Sequence, residues 1–539
     1  MNQFDSRGRR PGRPSHGGGP PRGGSSGRGH SDSGPGGRPL YRPRYQPSTQ
    51  ERFADARGIT FEALGTFENR RAFVSDALDQ LFYEREVTPQ DKGLATEMSY
   101  GIARRLASID SLLSAVCDRP RAMVQDGLWR LMRMGVYQLA WLSSIPPHAA
   151  IHETVELAHR LGQSGWAGFL NAILRRLQRD VLPVDQAGWT EQRTVAELVA
   201  HPDSAWLPLR GQLGPLSTGA DSGSGQTVIE GLQLREPVFP APDRFRSAYW
   251  ADLFSYPEWM IDEWCQQLGE VGAVERASWF NSTGRMCLRV NLARTTREAT
   301  LGALERMNVN AQPGRWPESV ILHTPVPVSE IPGFRDGLVS IQDESAISAA
   351  ALLAPQPGWK VLDLCAAPGG KTAHMAEQMR NQGLIVACDT IGQRLPLITE
   401  NCQRLGISMV QTREVASDGS DLPSGPFDAA LVDVPCSNTG VLGKRPEVRW
   451  RYVPGELREL MPIQSRLLKS ALNRIRPGGR VVYSTCSVDS RENGELVRGV
   501  LAAMPGYELK TEYTHIPGQP VDGGYAALIV RGALSPGNA

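Results

Sequence analysis

Paired cysteines are missing. The chain has eight cysteines in 539 residues, and none stands in a CxxC spacing. Cys117, Cys265, Cys287, Cys365, Cys388, Cys402, Cys436 and Cys486 are too few for a disulfide scaffold. They suit reduced thiols in a cytoplasmic protein. Long apolar runs are missing too, so no membrane span is predicted. The N-terminal stretch has no hydrophobic signal core, and export is not expected. Net charge is nearly absent, at +1. Acids, however, are almost absent from the opening stretch "SRGRRPGRPSHGGGPPRGGSSGRGH", which is rich in Arg and Gly. With too few large aliphatics to build a core, residues 1–50 read as a solvated tail whose arginines can meet RNA phosphates without sequence preference.

Beyond the tail the sequence is patterned for folding. Residues 66–180 carry apolar positions at helical spacing. "RRAFVSDALDQLFYE" puts Phe73, Ala77, Leu78, Leu81 and Phe82 on one face, and "VQDGLWRLMRMGVYQLAWL" repeats the pattern with Leu128, Leu131, Val136 and Leu139. Pro146-Pro147 marks a helix start. His148, His152 and His159 lie here, but no acid or cysteine sits at a ligand spacing, so no metal site is predicted. Residues 181–245, including "LSTGADSGSGQT", read as a linker or insertion. Residues 246–355 alternate helix and strand signals and form a small α/β subdomain.

In residues 356–535 apolar runs alternate with helical segments, which predicts a doubly wound, largely parallel sheet with ligands at the carboxyl ends of its strands. "LDLCAAPGGKT" is a strand, a Gly-containing turn and a helix start. Its glycines let the backbone approach a ligand, and the helix offers free N–H groups. The turn has neither the GxxxxGK[ST] nor the GxGxxG spacing, which disfavours a nucleoside triphosphate or a dinucleotide. The next strand ends at Asp389, where a carboxylate can accept ribose hydroxyls, as in both nucleotide and S-adenosylmethionine sites. Two further strands end in cysteine: "LVDVPCSNTG" at Cys436 and "VVYSTCSVDS" at Cys486. Taken singly, a strand-end cysteine is most often a small buried hydrophobe.

Taken together, "CAAPGGKT", "VDVPCSNTG" and "YSTCSV" closely resemble the Sun-type family of RNA cytosine-C5 methyltransferases. "LRVN" and "PGFRDGLVSIQDESA" match that family's preceding subdomain. "DKGLATEMSYGIARRLASID", "LWRLMRMGVYQLAWLSSIPPHAAIHETVELA" and "GFLNAILRRL" resemble the NusB-type RNA-binding helical domain. The resemblance implies an α/β fold. A Rossmann-like S-adenosylmethionine-dependent methyltransferase domain would follow an all-α NusB-like domain. It also implies 16S ribosomal RNA of the small subunit as partner and S-adenosyl-L-methionine as cofactor. No membrane or obligate protein partner is evident.

Carried over residue by residue, the resemblance implies a cofactor loop of Cys365, Ala366, Ala367, Pro368, Gly369, Gly370 and Lys371. Asp389 is then the ribose acid, Asp433 the acid of the D-x-P-C motif, and Asp418 the acid near adenine. The chain departs from the family pattern with Ser417 where a Gly usually precedes that acid, and Glu414 competes for the role. The resemblance also gives the two cysteines different tasks. Carbon 5 of cytosine is a poor nucleophile until a thiolate adds at carbon 6, and the adduct must afterwards lose a proton and expel the thiol. Cys486 corresponds to the nucleophile and Cys436 to the cysteine that assists release. Asp433 would hold the N3 and amino edge of the base, and Lys371 would orient Asp433. An adenine amino-methyltransferase would favour an aromatic after the proline, where this chain has Cys436. An RNA-binding ribosome-assembly factor with a degenerate methyltransferase domain is the alternative from another class. The basic loop "GKRPEVRWRY" reads as a place where Arg445, Arg449 and Arg451 meet phosphates and Trp450 stacks or packs, or as a solvated charged loop.

Overall fold

Asp55 and Thr88 accept hydrogen bonds from Gly58 and Asp91 backbone N–H groups and so cap the first and third helices of an N-terminal helical layer. The computed structural model describes residues 53–69, 73–183, 190–212, 227–282, 284–324, 326–417, 419–518 and 521–532. The Arg/Gly tail and Asp418 lie outside these. The helical layer comprises α1(Ala56–Glu68), α2(Val74–Glu84), α3(Pro89–Arg104), α4(Leu106–Val116), α5(Asp126–Trp141), α6(Pro147–Arg160) and α7(Ala167–Arg176). Helix α5 is central, and Leu128, Leu131, Val136 and Leu139 are buried as their spacing predicts. The three histidines of this layer are exposed. Among the described residues, no group of three or more His, Cys, Asp or Glu could hold a metal ion. Nor is any helix among them long and apolar enough to cross a membrane.

Residues 181–245 are not simply an extended connection. Their described part holds a three-stranded antiparallel sheet of β1(Thr190–Thr194), β2(Trp206–Gln212) and β3(Val228–Gln233), in the order β1-β3-β2. It also holds the short helix α8(Val195–Ala200), opened by a capping box between Thr194 and Glu197. The strands are short and separated by long segments, which hides their alternation in the sequence.

Helices α9(Arg246–Phe254) and α10(Glu258–Asn281) lead into a second antiparallel sheet. Its strands β4(Met286–Val290), β5(Ala311–Pro313), β6(Ser319–Leu322) and β7(Val339–Ile341) run in the order β5-β6-β4-β7, with α11(Arg297–Arg306) alongside. Helix α12(Glu344–Leu353) then opens the largest layer.

That layer is a seven-stranded sheet of β8(Lys360–Leu364), β9(Leu384–Asp389), β10(Val410–Glu414), β11(Phe427–Asp433), β12(Ile475–Thr485), β13(Tyr507–His515) and β14(Gly524–Arg531). Its order is β10-β9-β8-β11-β12-β14-β13. The first five strands in this order are parallel; four are the apolar runs read from the sequence, whereas the edge strand β10 is polar and mostly exposed, and β14 pairs antiparallel with both β12 and β13. Alternate residues point to opposite faces. Val361, Ile385, Leu431 and Val482 pack on α12 and α13(Gly370–Gln378). Leu362, Val386, Val432 and Tyr483 pack toward α16(Leu457–Leu472) and α17(Gly494–Ala502). Helix α14(Leu395–Leu405) covers the turn after β8 by packing Ile398 and Cys402 with Ala366 and Ala367. Strand order reverses between β8 and β11, the switch point at which sheets of this kind form a crevice outside the carboxyl ends.

The basic loop departs from its sequence reading. Arg449, in the short helix α15(Val448–Arg451), is fully buried. It donates to Ser255 O at 3.0 Å and Asn281 Oδ1 at 2.9 Å, and its guanidinium lies 3.9 Å from the centre of the Tyr256 ring. Trp450 donates through Nε1 to Ala103 O at 2.8 Å, and Arg445 and Arg451 lie over the Phe73 ring. Leu442, Val448 and Tyr452 belong to the same apolar cluster as the helical layer. Arg449 and Trp450 make this segment a joint between layers, while Arg445 stays exposed. Fixed carbonyls and an aromatic face offset the burial cost of the Arg449 charge.

Candidate active site

Strand β8 delivers the chain to Cys365, whose φ of 61° starts a tight turn that ends at Gly369, with φ of 95°. A Cβ on Gly369 would lie 3.0 Å from Ile398 Cα, so both backbone shape and space call for glycine. Helix α13 begins directly after, with Gly370 and Lys371 in its first turn. Asp389 ties this turn to β9: its Oδ2 accepts from Ala367 N and its Oδ1 from Ile391 N, each at 3.1 Å. Arg394 donates to Ala367 O at 2.9 Å from the other side. Asp389 therefore shapes the loop, and its carboxylate keeps lone pairs for a further donor.

Below the turn, Asp363 is 1% exposed. Thr372 donates to its Oδ2 at 2.6 Å, while its Oδ1 is buried without a partner. Burial, reinforced by the Asp433 charge, pushes this carboxyl up to about 7. Asp363, Asp389 and Asp433 surround the turn, where the cations are Lys371 and Arg394. Such an acid-rich crevice, with an orphaned carboxylate oxygen, fits a ligand with a positive charge and hydroxyls better than a polyphosphate. S-adenosylmethionine, with its ammonium, sulfonium and ribose, is such a ligand. Glu414 ends β10, and its carboxylate packs beside the backbone of Gly392.

Lys371 and Asp433 meet across the crevice, with Nζ 2.7 Å from Oδ2, and Ser484 donates to Asp433 Oδ1 at 2.7 Å. Burial alone would lower the Lys371 ammonium, but the Asp433 carboxylate outweighs it and holds the group above its ordinary value. Strands β11 and β12 are parallel neighbours, with Asp433 paired to Ser484, so the residues after them also come together. The two sulfurs, fifty residues apart in sequence, lie 3.2 Å apart. The Cys486 thiol also donates to Asn438 Oδ1 at 3.1 Å. The hydrogen bond with Cys486, then burial, pushes the Cys436 thiol well above its ordinary value. Burial likewise pushes the Cys365 and Cys388 thiols up to about 12 and that of Cys402 to about 11.

Four partners of this site were not singled out from sequence. Glu492, with no exposed surface, accepts Ser437 N at 2.9 Å, Ser487 Oγ at 2.8 Å and Gln464 Nε2 at 2.8 Å, as well as the Ser437 hydroxyl. It therefore holds the residue after each cysteine. Asn438, at φ 59°, donates to Cys436 O at 2.9 Å and accepts from Cys486, joining the two loops a second time. Gly440 closes the arrangement by donating to Cys486 O at 3.0 Å, and a Cβ there would meet Gly523 O at 2.5 Å. Arg289, on β4, donates to both oxygens of Glu377 and to Gly370 O at 2.8 Å. It fastens the second sheet to the start of α13.

Similarity to known proteins falls along the same layers. Residues 350–525 match the model of the 16S rRNA methyltransferase RsmB/F, residues 54–179 that of the NusB family, and residues 256–329 that of the RsmF/B-like ferredoxin-like domain. The chain is similar to the ribosomal RNA small subunit methyltransferase B of Cronobacter sakazakii, 32% identical over 86% of this chain and 94% of that protein. It is also similar to a probable ribosomal RNA small subunit methyltransferase B of Synechocystis sp., 30% identical over 81% and 87%. The crystal structure of PH0851 shares the fold, with a TM-score of 0.65 and 21% identity over 88% of this chain and 98% of that one.

Proposed function

The chain belongs to the ribosomal RNA small subunit methyltransferase B family, S-adenosylmethionine-dependent enzymes, and from that membership we propose that it methylates carbon 5 of one cytosine in 16S ribosomal RNA through a covalent Cys486 adduct. The observation that carries this reading is the pair of sulfurs 3.2 Å apart at neighbouring strand ends, beside the Lys371–Asp433 pair.

Bound S-adenosylmethionine supplies an electrophilic methyl group. The turn from Cys365 to Lys371 and the carboxylates of Asp389 and Asp363 would hold it. Asp433 accepts from the amino group of cytosine and favours protonation of N3 as carbon 6 is attacked, and Lys371 and Ser484 fix its orientation. Cys486, as thiolate, forms a bond from sulfur to carbon 6, which makes carbon 5 nucleophilic. After methylation, the carbon 5 proton must leave to a base and the sulfur–carbon 6 bond must break. The electron pair of the carbon 5–hydrogen bond restores the ring double bond, and Cys486 departs as thiolate. Cys436, in contact with Cys486 sulfur, assists this release. Its own high proton affinity keeps it a thiol and leaves the nucleophilic role to Cys486. The intact contacts among both thiols, Asp433 and Lys371 favour this over a degenerate assembly factor.

Bisulfite sequencing tests the product. Unmethylated 16S ribosomal RNA incubated with the protein and S-adenosylmethionine should acquire one protected cytosine. Methyl incorporation with no protected cytosine would overturn the carbon 5 assignment.

A further inference from the structure

A cleft of about 370 Å³ is lined in part by Cys436 and Asn438 of the thiol loop. Its walls come from two layers of the molecule. Phe73, from the helical layer, and Arg451 and Tyr452, from the joint, line it. Glu456, just before α16, and Glu459, in its first turn, line it as well. The catalytic steps use none of these five residues.

Two polar atoms here are buried without a partner: Arg451 Nη1 and the Tyr452 hydroxyl. Tyr452 is 5% exposed, and burial raises its phenol. Buried groups of this kind normally have partners, and both residues belong to the lining of the cleft. The Arg451 guanidinium lies 4.4 Å from the centre of the Phe73 ring, which holds it as a flat, cationic surface. Single-stranded RNA bases stack on such guanidinium planes and hydrogen-bond through their edges. In the same lining, Glu456 and Glu459 are exposed. Ionised carboxylates only accept hydrogen bonds, and they repel phosphate. They therefore suit the amino group of a base, and the volume suits one nucleotide rather than a helix of RNA.

We propose that this cleft is a base-reading subsite for a nucleotide neighbouring the target cytosine, stacked on Arg451 and selected for an exocyclic amino group by Glu456 and Glu459. The proposal rests on the reading of the thiol pair as an RNA-methylating centre. The helical layer then shapes substrate choice next to the chemistry, through Phe73.

The test uses the full chain and 16S ribosomal RNA fragments that contain the methylated cytosine, with each nucleotide within two positions of it replaced in turn by the other three. Methylation of the parent fragment at carbon 5 by the unaltered protein establishes the underlying reading independently. At one neighbouring position, adenine, cytosine or guanine should exceed uracil in kcat/KM by about ten-fold. Glu456→Ala combined with Glu459→Ala, both at exposed positions, should shrink that preference below about two-fold while the parent rate with uracil there is retained. Tyr452→Phe, which keeps the ring, should raise KM and leave kcat unchanged. A wild-type protein indifferent to every neighbouring base, or a preference that survives the double substitution intact, would overturn the subsite while leaving carbon 5 methylation standing.

Discussion

The backbone N–H of Ser437 donates to the buried carboxylate of Glu492 at 2.9 Å, and the same carboxylate holds the Ser487 hydroxyl. One acid thus sets the position of both residues that come after the cysteines. Glu492→Gln puts an amide N–H₂ where donors already point. It should cost about 1–3 kcal/mol of stability. It should also lower kcat by about ten-fold or more, because misplacement near reacting atoms is expensive. Affinity for S-adenosylmethionine, measured by calorimetry, should not change. Unaltered kcat would show that the thiols are placed without this clamp.

The two thiols should behave asymmetrically. Cys486→Ala should abolish methyl transfer and yield no protein–RNA adduct. Cys436→Ala should still attack carbon 6 and then stall, accumulating an adduct visible as a slow gel band that ribonuclease shifts. The double variant should resemble Cys486→Ala. An adduct formed without Cys486 but with Cys436 would reverse the roles.

Asp389→Ala removes the loop tie at Ala367 and Ile391 along with any bond to ribose. Loss of a charge-assisted hydrogen bond should weaken S-adenosylmethionine binding by about 1.5–3 kcal/mol. Calorimetry with unchanged affinity contradicts this role.

Asp363 gives a pH signature. Its folded value of about 7 lies above its ordinary 3.8, so the folded state binds the proton more tightly. Its contribution to stability is complete below pH 3.8 and is lost as pH rises through about 7. In ligand-free urea unfolding, Asp363→Asn should abolish this loss. Parallel stability–pH curves for the two proteins would contradict it.

Arg449 is a stability residue rather than an RNA contact. Arg449→Met leaves the Ser255 and Leu442 carbonyls and Asn281 Oδ1 without this donor and should cost on the order of 3 kcal/mol. The melting temperature should fall. The slope of RNA affinity against salt should stay the same, since no phosphate contact is removed. A shallower slope would restore the phosphate role.

The parallel core strands were legible because each is an apolar run that ends at a distinctive residue: Leu364, Asp389, Asp433 or Cys486. The crevice is a consequence of that, since parallel strands bring their carboxyl ends together. Glu492, Asn438 and Arg289 were not legible as parts of the site. Their roles depend on partners distant in sequence, such as Ser437 for Glu492 and Gly370 for Arg289, and a lone Glu or Arg in a polar stretch looks solvated. The same bias misled the reading of Arg449, whose burial requires Tyr256 and three acceptors that no local pattern reveals. The sheet within residues 181–245 escaped because its strands are short and far apart.

The Arg449–Trp450 joint changes what counts as a module. Three family models divide this chain into tidy segments, yet the residues just past Cys436 are anchored among helices encoded some 340 positions earlier. A catalytic segment excised at its sequence boundary would carry a raw seam: a stranded guanidinium, a bare indole and a thiol loop with one end untethered. Domain shuffling, by an engineer or by evolution, would therefore have to move the helical layer and the D-x-P-C loop as a matched pair.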